Sequence, residues 1–138
     1  MSLKRDLYQS IKDKIEATDL SNTIKTVRLF NNQFEESTRE DAFEYGALFI
    51  EFENIDYSSA TNGSQNGDFL MTLHVGLVSL ETESLVIFDL LDKILIMMTD
   101  LNLGFSRVRE MQDSNNSNIQ VWTQSYKVVH LDHTANIS

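Results

Sequence analysis

The chain has 138 residues, a length that suits one domain, and 41% of them are hydrophobic, enough to build a core. Its formal net charge of -10 argues against a classical grip on double-stranded nucleic acid, whose phosphates attract basic proteins. Cysteine is absent, which excludes disulfides, thiolate nucleophiles and cysteine metal clusters; proline is absent too, so turns must rest on Gly, Asn, Asp and Ser.

In chain order, Leu3, Leu7, Ile11 and Ile15 recur every four residues among charged neighbours, which predicts an amphipathic helix over 3–17. Ile24 to Phe30 predicts a first strand, with Val27 and Leu29 on one face. The stretch 31–44 is polar and acidic, and Glu35, Glu36, Glu40, Asp41 and Glu44 mark it as a solvated loop, with a carboxylate metal site or a docking loop for a basic partner as the sharper reading. Ala47 to Ile55 alternates Leu48, Ile50 and Phe52 against Phe49, Glu51 and Glu53, the pattern of a strand. Asp56 to Gly67 is small and polar, and its pairs Asn62-Gly63 and Asn66-Gly67 predict a mobile loop that could also dock a partner. Asp68 to Leu80 returns as a long strand, expected to pair antiparallel with the preceding one.

A second helix is predicted over 82–101. Its polar stripe of Asp89, Asp92, Lys93 and Asp100 is thin, and its extension by helical spacing runs into Val86 and Ile96. Such a helix has more apolar surface than one subunit hides, so Val86 and Ile96 are candidate subunit contacts. Phe105 to Gln112 and Ile119 to Leu131 predict two further strands around a polar hairpin loop. On the last strand Trp122 and Tyr126 share a face, as core or as subunit interface. The expected architecture is a single α+β domain spanning the chain, with a mainly antiparallel sheet of four or five strands in the order α-β-β-β-α-β-β.

No motif for chemistry emerges. His130 and His133 flank Asp132 without a third clear ligand, and His74 lies mid-strand, where a half-buried structural histidine is the default. The loop from Asp113 fails as a calcium loop, because Asn118 and Gln124 stand where glycine and glutamate are required. Phosphate loops, nucleophile elbows and paired His-Glu-His arrangements are absent. No catalytic, cofactor or metal residue is therefore assigned, and the expectation is a protein that is not an enzyme. The N-terminus lacks the apolar stretch of a signal peptide, and the longest apolar run, Ile94 to Met98, is too short to span a bilayer, so an intracellular, non-membrane product is expected.

Three segments carry a likeness to a family: LKRDLYQSIKDKI, GDFLMTLHVGLVSLETESLVIFDLLDKILIMM, and the closing pair FSRVREMQD and IQVWTQSYKVVH. Through them nearly the whole chain resembles the tail terminator or tail completion proteins of tailed bacteriophages. The acidic stretch around Glu35 to Glu44 has no counterpart in that pattern. The resemblance implies a virion protein made in the bacterial cytoplasm that forms a ring, commonly a hexamer. Such a ring caps the tail tube, joins it to neck or connector proteins, and lets DNA pass through its lumen without specific binding. A head-tail connector adaptor is the nearest alternative. A small-molecule-binding or enzymatic domain, with its site between sheet and helix, is the alternative from another class.

Overall fold

The computed structural model describes residues 3–31, 46–59, 64–78, 86–113 and 119–134. These form an α+β fold with two helices and one five-stranded mixed sheet. The elements are α1 (Leu3–Glu16), a short 3-10 helix (Asp19–Asn22), β1 (Thr26–Leu29), β2 (Ala47–Ser59), β3 (Ser64–Val78), α2 (Val86–Asp100), β4 (Ser106–Gln112) and β5 (Ile119–Thr134). The 3-10 turn is an element that the expected order lacked.

Helix α1 forms where expected. Leu7, Ile11 and Ile15 are buried, which is what four-residue spacing does on a helix lying on a sheet. Asp6 in its first turn and Lys14 in its last complement the helix dipole. The chain then turns through the 3-10 helix, whose Leu20 is buried, and the main-chain N–H of Ile24 donates to Leu20 O at 2.8 Å. Ile24 thus belongs to this turn and to the core, and β1 starts later than predicted.

The sheet order is β1-β2-β3-β5-β4. Strands β2–β3, β3–β5 and β5–β4 pair antiparallel, but β1 pairs with β2 in parallel, Thr26 opposite Ala47 through Leu29 opposite Ile50. Three of the four pairings are antiparallel, as expected, and the parallel β1–β2 pairing makes the sheet mixed. A parallel return needs a connection of about a dozen residues or more, and the chain between Leu29 and Ala47 meets that length.

The predicted loop 56–67 is corrected. Asp56 to Ser59 continue β2 and Ser64 to Gly67 continue β3, in a register that sets Tyr57 opposite Gly67 and Ser58 opposite Asn66. Strand β5 runs on beside them to Thr134, with His130 opposite Gly67. Once partners lie on both sides, backbone hydrogen bonding continues through residues of low strand propensity. Asn66-Gly67 is therefore strand, while Asn62 and Gly63 lie outside the described residues, as do Glu35, Glu36, Glu40, Asp41 and Glu44.

Both helices cover one sheet face. Ile87, Leu90, Leu91, Ile94, Met97 and Met98 of α2 join Leu48, Ile50, Met71, Leu73, Val75 and Tyr126 of the sheet in one core with Ile11 and Ile15. Helix α2 ends through Asn102 (φ 56°) and Gly104 (φ 84°), both in the left-handed region that closes helices. A smaller cluster on the opposite sheet face gathers Ala47, Phe49, Ile119 and Val121, with Phe30 against it.

Candidate functional site

Polar side chains meet in two places on the sheet. On the helix-covered face, the buried Nε2 of Gln124 donates to Leu91 O of α2 at 2.9 Å and to Glu110 Oε2 at 2.6 Å. The Tyr126 hydroxyl donates to Gln124 Oε1 at 2.9 Å, and Arg107 Nη1 donates to the same Glu110 oxygen at 3.1 Å. Burial pushes the Tyr126 hydroxyl well above its ordinary pKa; nearby Arg107 opposes that and Glu110 adds to it. Gln124 uses both its donors and its acceptor, so the network is a satisfied tie between α2, β5 and β4.

On the opposite face, β2 offers Glu51 and Glu53, β3 offers Thr72 and His74, and β5 offers Thr123 and Ser125. Thr72 donates to Glu53 at 2.6 Å. Thr72 has a single proton, so Ser125, at 2.8 Å, donates to Thr72. A register shift between Phe52 and Asn54 places Glu53 at a bulge, which brings its carboxylate to Thr72.

His74, only 8% exposed, stacks on Phe30 with ring centroids 3.7 Å apart, and its Nε2 lies 2.7 Å from Glu51 Oε1. A carboxylate only accepts, so the proton sits on Nε2. Its Nδ1 has no partner among the described residues. The Ser125 and Thr72 hydroxyls lead to Glu53, while the Thr123 hydroxyl donates to Met111 O at 3.4 Å, so the row ties neighbouring strands together. Among the described residues no group of three or more His, Cys, Asp or Glu side chains could hold a metal ion. No described helix is long and apolar enough to cross a membrane.

The surface is more telling. Helix α2 presents a ridge at i, i+4 spacing: Phe88, Asp92, Ile96 and Asp100, all exposed. Phe88 is 45% exposed and Ile96 59%. Phe88 leans edge-on to Trp122, centroids 5.4 Å apart, which holds it upright on the ridge. Ile96 also borders a small hollow of about 170 Å³ beside Lys14, Asp19 and Lys93.

Of the four candidate contact residues, Ile96 is on the surface, while Val86 and Trp122 are half-buried against the subunit's own core. Tyr126 is fully buried beneath the helices and faces Phe105 edge-on, so its place is the core and it offers no side-chain surface to a neighbour. Phe88 was missed by the sequence reading. Its signal was there: it sits one helical turn before Asp92 and two before Ile96 on the polar stripe.

A second surface feature lies at the far edge of the helical layer. Lys4, Arg5, Tyr8 and Gln9 of α1, Leu29 of β1 and Phe52 of β2 line a predominantly apolar hollow of about 460 Å³. Tyr8 is pinned there by its hydroxyl, which donates to Val27 O at 3.3 Å. Lys4 and Arg5 are the charged side chains among these described lining residues, on a chain with 21 acidic and 11 basic side chains. The sheet also ends in an open strand, β4, along which every residue is exposed, Val108 and Met111 among them.

A scan of protein-family models finds none that matches the chain, and no curated protein matches it in sequence.

Proposed function

We propose that the chain is a structural, non-catalytic subunit of a homo-oligomeric ring in the tail or neck of a tailed bacteriophage, capping the tail tube and meeting the neck proteins. The observation that carries the oligomeric part is α2: six of its side chains are buried on the sheet while Phe88 and Ile96 stand in solvent on its back. Burying an aliphatic or aromatic side chain is worth roughly 1.5–3 kcal/mol, and a closed ring repeats that contact at every joint. The net charge of -10 supports a lumen that lets DNA slide rather than gripping it. The virion assignment itself rests on the resemblance of the helix–strand pattern to tail terminator proteins. A head-tail connector adaptor would build the same ring and differ only in which neighbour it meets.

Native mass spectrometry tests the ring and tube polymerisation tests the role. The expected result is one discrete closed oligomer that, added to assembling tail tubes, halts their growth. A chain that stays monomeric at high concentration, with and without tail and neck proteins, overturns the reading.

A further inference from the structure

We infer that the ridge of α2 and the hollow beside α1 are the two halves of one joint, so that a second copy of this chain docks its ridge into the hollow. This rests on the homo-oligomer reading and says which surfaces make it.

The two patches are opposites. The ridge is convex and alternates apolar with acidic: Phe88, Asp92, Ile96, Asp100. Its neighbouring cation Lys93 is drawn aside toward Asp19, at 4.0 Å. The hollow is concave and apolar, with Tyr8, Leu29 and Phe52 in its walls and Lys4 and Arg5 in its lining. A ridge set in the hollow places Phe88 or Ile96 against those walls and an aspartate near Lys4. Ridge against ridge would instead set aspartates against aspartates and leave the hollow empty, which excess negative charge disfavours. Because the halves are different surfaces of one subunit, the contact is head-to-tail, the kind that generates a ring when the rotation closes and a filament when it does not. The bordering charges steer and orient, and the aromatic and aliphatic anchors supply affinity.

The test uses two variants of the full chain, each checked for native circular dichroism. Ile96→Asp spoils the ridge. Lys4→Glu combined with Leu29→Asp spoils the hollow. Each alone should weaken self-association roughly 10- to 100-fold, the equivalent of losing one well-buried anchor. Mixed together, each variant still carries one intact half, so native mass spectrometry should find one-to-one dimers and nothing larger. A third variant, Asp92→Lys with Asp100→Lys, should weaken the assembly and should regain it when combined with Lys4→Glu alone, which restores opposite charge and keeps Leu29 in the wall.

Wild-type oligomers that survive all three variants unchanged overturn this joint while leaving the ring reading intact. Crosslinks that place two α2 ridges face to face also overturn it, since they define a two-fold contact. A small apolar ligand that fills the hollow and leaves the oligomer unaffected does the same. A wild-type chain that is monomeric throughout overturns both this inference and the reading beneath it.

Discussion

Gln124 on β5 donates across 2.9 Å to the main-chain oxygen of Leu91 on α2, fastening the long helix to the sheet at a fully buried point. Replacing Gln124 by Leu keeps the volume but leaves the Tyr126 hydroxyl without its acceptor. The expected cost is about 1–3 kcal/mol. Urea unfolding should show a lower midpoint with an unchanged slope. The double variant Gln124→Leu, Tyr126→Phe should cost less than the sum of the two singles, because it removes both ends of one bond.

Tyr126 makes stability fall in alkali. Burial raises its folded-state pKa above the ordinary value of 10.0, so the neutral hydroxyl is the form the fold prefers. Below pH 10.0 both folded and unfolded chains hold the proton and the group contributes no slope. As pH climbs past 10.0, the unfolded chain releases the proton first and stability declines. Tyr126→Phe should flatten that part of the curve relative to wild type, read as the difference between two urea titrations across alkaline pH.

Gly46 sits where β2 enters the sheet, its N–H donating to Thr23 O at 3.2 Å and its own carbonyl accepting from Lys25 N–H at 2.8 Å. A Cβ there would lie 2.7 Å from Leu77 Cδ2 and 2.9 Å from Thr23 O. The leucine can swing away, but the carbonyl belongs to the backbone that β1 needs. Gly46→Ala should therefore cost about 1–3 kcal/mol. Gly104→Ala meets more space but a φ of 84°, and should cost about 1 kcal/mol from backbone strain. Thermal melts of the two variants should rank them in that order.

Thr72→Val removes the hydroxyl that stands between Ser125 and Glu53. Its shape is kept, and two polar partners lose their bond, so the expected cost is about 1–2 kcal/mol. Ser125→Ala should cost less, because Thr72 keeps its acceptor in Glu53. If the row serves only to lock strands, both variants should assemble as wild type does once folded, which native mass spectrometry reads directly.

Most elements were legible because periodicity reports which residues seek burial. Four-residue spacing announced α1, and alternation announced the cores of β2, β3 and β5. The ends were harder. Asn66-Gly67 reads as turn chemistry, yet it lies in β3, with Asn66 opposite Ser58 and Gly67 between Tyr57 and His130. The parallel pairing of β1 was invisible, since direction is set by how a long connection returns and leaves no mark on the strand itself.

By itself the sequence determined that apolar residues interrupt the polar stripe of α2 at Val86 and Ile96; of these Ile96 is exposed and Val86 packs partly against the subunit's own core. The sequence left open whether Trp122 and Tyr126 met the core or a neighbour, because a strand face reads the same under its own helix as under another subunit's. Tertiary packing decided that: α2 lies over β5, buries Tyr126 completely, half-buries Trp122 and lifts Phe88 into solvent. It also gathered Lys4, Tyr8, Leu29 and Phe52, from three separate elements, around one hollow. Burial preference is local and written in the chain. What does the burying is settled only when distant segments compete for the same surface.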